Sequence, residues 1–167
     1  MNRILEEVIT SEAIQRAAGV NIQKIVVPVD LSEHSEKTSS YAIALAKSFR
    51  ASIIFVHVFP HEPITQFEID GIHWSYAEER DAAKEKLVSF CDKMRRVYPH
   101  CETEFRIGDT ADEVRLAVEA WNADLIVTSS YHPGFLGRVL GLERAPQIVK
   151  RAPCPVIVYH ECSDGFE

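Results

Sequence analysis

The sequence predicts one α/β domain, a doubly wound sandwich in which a five-stranded, mainly parallel sheet carries helices on both faces. Short apolar runs are rich in the β-branched residues that fill strands buried on both faces of a parallel sheet. Segments with helical periodicity separate these runs, so strand and helix alternate along the chain. The 167 residues fit a single domain with one core.

The first two predicted strands are residues 24–29 (KIVVPV) and residues 52–58 (SIIFVHV), both continuous apolar runs. Between them, residues 35–49 place apolar side chains on one face of a helix. Asp30 and Ser32 stand just before that helix, where short polar side chains cap a helix N-terminus. The three elements form a βαβ unit, which is normally right-handed.

A polar stretch with two prolines covers residues 59–73 and predicts a long surface loop. A helix is predicted over residues 74–98, because apolar side chains from Leu87 to Tyr98 recur at steps of three and four residues. Pro99 ends this helix.

The second half of the sequence continues the alternation. Thr103, Phe105 and Ile107 alternate with charged residues, which suits a third strand with one face less completely buried. Thr110 and Glu113 have the spacing of a capping box and open the next helix. The remaining elements are a strand at residues 124–128 (DLIVT), a helix at residues 147–151 and a strand at residues 155–159 (PVIVY).

The N-terminal residues form a predicted helical extension, residues 1–22, before the domain at residues 23–160 and a short tail at residues 161–167. Residues 3–18 are compatible with a helix, and Gly19 is a stop signal. The apolar side chains that lean toward one side are Ile4, Leu5, Val8, Ile9 and Ile14. Because exposed apolar stripes are unfavourable, we expect this side to pack onto the domain or onto a second subunit.

Charge and composition exclude several classes of function. The formal net charge of −7 repels nucleic-acid phosphates and anionic membranes, so we expect neither as a partner. The longest apolar stretch is far shorter than the roughly 20 residues that span a bilayer. Acidic residues near the N-terminus argue against a secretory signal, and the four cysteines form no CxxC pair. We therefore expect a cytoplasmic protein with reduced thiols.

Candidate ligand-binding residues lie at the carboxyl ends of the first, second and fourth predicted strands or directly after them. Open parallel sheets bind ligands at the carboxyl ends of their strands, where the connections diverge to opposite faces. The candidate residues at this edge are Pro28, Val29, Asp30, Val58, Thr128, Ser129 and Ser130.

Five segments resemble the universal stress protein family, part of the adenine nucleotide alpha-hydrolase-like superfamily, and they extend over most of the chain. They are KIVVPVDLSEHS (24–35), FVHV (55–58), GDTADEV (108–114), ADLIVTSS (123–130) and KRAPCPVIV (150–158). The resemblance implies a dimer formed through the last strands and, in many members, an adenine nucleotide in the edge cleft. It also implies that Asp30 takes a ribose hydroxyl or the adenine amine and that the Val58 backbone takes an adenine edge. Asp30 could equally cap the next helix.

The loop after the fourth strand departs from the pattern of members that bind ATP, which carry three spaced glycines and then serine or threonine. The aligned positions in this sequence are Ser129, His132, Leu142 and Glu143. Leu142 would obstruct the approach of backbone N–H groups to phosphate oxygens. The carboxylate of Glu143 would repel a phosphate about 4 Å away by roughly 1 kcal/mol in water and by more in a lower dielectric. A shifted loop path through the nearby glycines, forming a partial anion nest, stays open.

No catalytic or metal-binding pattern accompanies these residues. Ser129 and Ser130 lack the GxSxG elbow, and Cys154 has no evident base. His57 and His61 are separated by a strand end and a proline, so they would not share a helical face as zinc ligands do. We therefore expect binding rather than catalysis.

Two classes of function stay open. The first is a dimeric stress-response module that binds ATP weakly or not at all, with no certain cofactor, and acts through its dimer and an unknown protein partner. The second is a regulatory protein that binds AMP or ATP, with at most slow ATP turnover. In both, the strand from Pro155 to Tyr159 pairs across a homodimer axis, because an isolated apolar edge strand is an aggregation hazard.

Overall fold

The computed structural model describes residues 21–61, 75–130 and 144–160, in which strands and helices alternate. The elements are β1 (Lys24–Pro28), α1 (Glu33–Phe49), β2 (Ser52–Phe59), α2 (Tyr76–Arg95), β3 (Cys101–Ile107), α3 (Thr110–Trp121), β4 (Leu125–Ser129), α4 (Arg144–Arg151) and β5 (Val156–Tyr159). The strands form one sheet in the order β3-β2-β1-β4-β5, and all four pairings are parallel. The predicted five-stranded, doubly wound α/β fold is confirmed.

Helices cover both faces of the sheet. α1 and α2 cover one face, where Phe55 meets Phe90 edge-on with ring centroids 5.3 Å apart. α3 and α4 cover the other face around Ile54, Val56 and Ile148. Ile54, Phe55 and Val56 are successive residues of β2, and none is more than 1% exposed. Burial on both faces explains why this strand is a continuous apolar run rather than an alternating one.

β1 lies at the centre of the sheet, between β2 and β4. Val27 pairs with Phe55 on one side, and Val26 pairs with Ile126 on the other. The connection from β1 to β2 crosses one face through α1, whereas the connection into β4 crosses the opposite face through α3. The chain therefore diverges between the carboxyl ends of β1 and β4, which is where open α/β sheets form a ligand crevice.

The N-cap of α3 is Asp109 and not Thr110, so the predicted capping box is wrong. Asp109 Oδ1 accepts hydrogen bonds from the backbone N–H groups two and three residues further on, at 3.2 and 3.1 Å. The carboxylate of Glu113 binds Arg106 at 3.1 Å instead of reaching back to the cap. Because an extended aspartate satisfies these N–H groups by itself, Thr110 becomes the first residue of the helix.

α2 begins at Tyr76 and ends at Arg95, within the predicted range 74–98. The residue before a proline disfavours helical backbone angles, and Tyr98 precedes Pro99. The Tyr98 hydroxyl instead donates a hydrogen bond of 2.5 Å to the carbonyl of Ala51. No helix in the described ranges, α2 included, is long and apolar enough to cross a bilayer.

β3 and β5 are the edge strands of this sheet. Residues 103–106 of β3 are partly exposed, in agreement with the prediction of a less buried third strand. All four residues of β5 are partly exposed as well. The predicted extension helix at residues 3–18, most of the loop at residues 59–73, and the tail at residues 161–167 fall outside the described residues.

Candidate functional site

A cavity of about 500 Å³ lies at the carboxyl edge of the sheet. It is bounded by the ends of β1, β2 and β4 and by the first turns of α3 and α4. Its position is the switch point between β1 and β4, and its volume falls in the usual range for sites that hold small ligands, about 300–1,000 Å³.

Pro28, Val29 and Asp30 form the β1 wall of this cavity. Asp30 Oδ1 accepts hydrogen bonds from the backbone N–H of Ser32 at 3.0 Å and from the Ser32 hydroxyl at 2.5 Å. Ser35 donates a further bond of 2.5 Å to the same oxygen. The N-cap of α1 is Ser32 itself, so Asp30 holds the capping residue in place rather than capping the helix directly.

Val58 and its neighbours form the β2 wall. The Val56 carbonyl accepts from the Val29 N–H at 2.9 Å, whereas the Phe59 carbonyl accepts from Gly108 on the other side. Backbone groups alternate in direction along a strand, so the N–H and C=O of Val58 point toward the β1 side. They do so beyond Pro28, where the pairing with β1 stops. The Val58 backbone is thereby directed into the crevice.

His57 ties the first two strands together at the cavity. Its Nδ1 lies 2.8 Å from the carbonyl oxygen of Val29, and its ring lies 5.8 Å from the ring of Phe105. The contact joins the ends of β1 and β2. The described residues contain no cluster of three potential metal ligands.

The end of β4 brings Thr128 and Ser129 to the cavity, with Thr128 only 5% exposed. Ser130 extends the β4–β5 ladder instead, since its backbone N–H donates to the Tyr159 carbonyl at 2.9 Å. The cavity thus collects six of the predicted residues: Pro28, Val29, Asp30, Val58, Thr128 and Ser129. The predicted residues His132, Leu142 and Glu143 lie outside the described residues.

The structure adds lining residues that the sequence analysis did not assign to a binding site. Thr110 stands at the start of α3, and Ala145 and Ile148 belong to α4. Ser35 enters from the first turn of α1, where it is 5% exposed. Ligands bind at the carboxyl ends of parallel strands, and Thr110 comes directly after the turn that follows β3. The same rule could therefore have predicted Thr110 as a lining residue.

The described part of the cavity wall has one charged side chain, that of Asp30. Among the described residues that line it, none is lysine or arginine, and Asp30 carries a negative charge. Arg151 stands close by, but its guanidinium binds Asp109 and Asp112, both at 2.8 Å.

The cysteines of the described ranges are free thiols with the wrong properties for a nucleophile. Burial, reinforced by the charge of Asp124, raises the pKa of the Cys154 thiol. Burial also raises the pKa of Cys91, and it raises that of Cys101 to about 11. Reactive cysteines are thiolates at neutral pH, so none of these three is poised for covalent catalysis.

Known proteins share this sequence pattern and fold. The profile of the universal stress protein family matches residues 21–160. Universal stress protein MJ0531 of Methanocaldococcus jannaschii is 30% identical over 138 residues, 81% of each chain. The crystal structure of a universal stress protein in complex with cAMP has a TM-score of 0.65 at 18% identity, covering 84% of this chain and 98% of that one. A universal stress protein of Archaeoglobus fulgidus in complex with dAMP has a TM-score of 0.56 at 23% identity, with coverages of 83% and 98%.

Proposed function

The chain belongs to the universal stress protein family, and from this we propose that it is a stress-response module whose cavity takes adenosine or AMP and holds ATP weakly or not at all. A stress-response role fits the family as a whole. The cavity at the switch point is the observation that carries the ligand proposal, because it combines the Asp30 carboxylate with the backbone of Val58.

The nucleoside end of the ligand has matching groups in this cavity. Asp30 offers a carboxylate to ribose hydroxyls, and the Val58 backbone offers one N–H and one C=O to the edge of a base. Two structural neighbours were crystallised with cAMP and dAMP, each an adenine nucleotide with one phosphate. We infer that the same class of ligand suits this cavity.

The triphosphate lacks such support. The described wall holds no lysine or arginine, and the aligned loop positions are Ser129, His132, Leu142 and Glu143 instead of the glycines and hydroxyl residue of ATP-binding members. Phosphate binding needs close backbone N–H groups and positive potential. Bulk at Leu142 and negative charge at Glu143 oppose both requirements.

Calorimetry with adenosine, AMP and ATP–Mg²⁺ tests this proposal. We expect AMP or adenosine to bind measurably and more tightly than ATP. A dissociation constant for ATP at or below about 10 μM, near 7 kcal/mol of binding free energy, would contradict it. Mass spectrometry of small molecules released from the purified protein identifies a ligand that copurifies.

The second candidate is an AMP- or ATP-binding regulatory protein with at most slow ATP turnover. The observation that favours it is the run of three glycines at Gly134, Gly137 and Gly141, which would allow a shifted anion nest. A phosphate-release assay separates the two: turnover of ATP above the background of a buffer control supports the second candidate.

We also propose that two copies of the chain form a homodimer through β5. The twofold surface of this dimer would be the binding surface for an unknown protein partner. β5 is a partly exposed edge strand, and the ring of Tyr159 packs on that of Tyr41 at 5.2 Å to extend this edge as an apolar surface. A cytoplasmic location is proposed on the basis of the free thiols Cys91, Cys101 and Cys154.

A further inference from the structure

We propose that the N-terminal segment of this chain, residues 3–18, docks as a helix along the groove between α1 and α2 of the same chain. This surface lies on the opposite side of the sheet from α3 and α4 and is separate from the ligand cavity. The inference is independent of the proposed ligand.

The groove is formed by two neighbouring depressions of about 300 and 480 Å³. Both are lined by Glu36 of α1 and Lys93 of α2, whose side chains form an ion pair of 2.6 Å across the groove. The depression nearer the C-terminal ends of the helices exposes Ala44 and Val97, and Val97 is 58% exposed. This half of the groove therefore leaves apolar surface in water that a docked helix would cover.

The first described residues of the chain lie near one end of this groove. Ile22 is buried in the core cluster on the α1–α2 side of the sheet. The next residue, Gln23, accepts a hydrogen bond of 2.8 Å from the backbone N–H of Ser52, just after the end of α1. The adjacent Ala51 carbonyl binds the Tyr98 hydroxyl just after the end of α2. The segment before Ile22 thus joins the domain where both helices end and on the face that carries the groove.

The length of residues 3–18 and the pattern of their apolar residues suit a helix lying in this groove. As a helix, residues 3–18 would be about 24 Å long at about 1.5 Å per residue, close to the 17-residue α1 that forms one wall. Its apolar residues that lean toward one side are Ile4, Leu5, Val8, Ile9 and Ile14.

The charges are complementary. The segment carries three acidic and two basic side chains, at Glu6, Glu7, Glu12, Arg3 and Arg16. The groove lining carries three basic and two acidic side chains, at Lys47, Lys86, Lys93, Glu36 and Glu85, so its net charge is opposite to that of the segment.

Photo-cross-linking in the full chain tests the proposal. The photoreactive residue p-benzoyl-phenylalanine replaces Ala44 in the groove or, as the matched control, Leu116 on α3, which is 38% exposed on the other face. We expect the Ala44 position to cross-link to peptides from residues 3–18 within one chain, and the Leu116 position not to do so. Absence of the Ala44 cross-link, equal cross-linking from Leu116, or cross-links only between two chains would each overturn the proposal.

A second measurement uses trypsin cleavage after Arg16. Ala44→Glu adds a charge in the groove, and Leu116→Glu adds the same charge on α3. Both positions are exposed, so both variants are expected to fold. We expect cleavage after Arg16 to be at least tenfold faster in Ala44→Glu than in Leu116→Glu. Equal rates in the two variants would show that the segment does not occupy the groove.

Discussion

Asp30 and Ser35 are joined by two hydrogen bonds through one hydroxyl, which accepts from the Asp30 backbone N–H at 2.9 Å and donates to Asp30 Oδ1 at 2.5 Å. The turn between β1 and α1 is closed by this pair, and it contains Leu31 at φ 65°, a left-handed conformation that is unfavourable for leucine. The pair therefore holds a strained turn at the rim of the ligand cavity.

Replacing Ser35 by alanine removes both bonds at once, and we expect a loss of about 1–2 kcal/mol in the free energy of unfolding. Because the two residues bond to each other, the double variant Asp30→Ala, Ser35→Ala should lose less free energy of unfolding than the sum of the losses in the two single variants. Urea unfolding followed by circular dichroism measures this. Ser40→Ala, which removes an exposed hydroxyl from the same helix, is the control and should change stability by less than about 0.5 kcal/mol. Additive effects of the two changes would refute the coupling.

Restoring the loop residues of ATP-binding relatives should restore ATP binding if Leu142 and Glu143 are what oppose it. We expect the double variant Leu142→Gly, Glu143→Ser to bind ATP at least tenfold more tightly, a gain of about 1.4 kcal/mol in binding free energy. Its affinity for AMP should stay within about twofold of that of the unaltered chain. Glu143→Gln, which removes only the charge, should give an intermediate gain. Calorimetry that finds ATP affinity unchanged in the double variant would show that these two residues are not the obstacle.

The dimer proposed through β5 can be tested at the open edge of that strand. The Pro155 and Tyr159 carbonyls accept hydrogen bonds from β4, so the alternating backbone directs the N–H of Val158 away from β4. Val158→Pro removes this outward donor without removing a bond of the β4–β5 ladder. Light scattering should give the mass of a dimer, about twice 18.9 kDa, for the unaltered chain and the mass of a monomer, 18.9 kDa, for the variant. Val149→Asp, on exposed α4 surface, should stay dimeric. A monomeric unaltered chain at micromolar concentration refutes the proposal.

Stability should fall at alkaline pH because of Cys101. Burial raises the pKa of this thiol from 9.0 to about 11 in the folded protein, so the unfolded chain loses the proton first. The contribution of the protonated thiol to the free energy of unfolding is complete below about pH 9 and is lost as the pH rises to about 11. This loss lowers the free energy of unfolding by about 2–3 kcal/mol. Urea unfolding at pH 8, 9, 10 and 11 measures this fall. Cys101→Ala should be less stable at pH 8 but should decline less steeply; an equal slope would contradict the assignment to Cys101.

The fold followed from local information in the sequence. The apolar run in β2 predicted a strand buried on both faces, and Phe55 and its neighbours are buried there. The sequence also predicted that Asp30, Val58 and Thr128 lie at one edge of the sheet, because the carboxyl ends of parallel strands meet there whatever the strand order.

The tertiary structure decided the details that depend on competition between distant groups. The sequence predicted Thr110 as the cap of α3, but Asp109 takes that role while Glu113 is drawn to Arg106 on β3. The sequence assigned no partner to His57, and the structure places its Nδ1 against the carbonyl of Val29, 28 positions away. Local pattern fixes which residues form strands and helices, since that depends on near neighbours. The partner of a buried polar group is set by whichever donor or acceptor the packed chain brings within hydrogen-bonding distance, and that requires the fold.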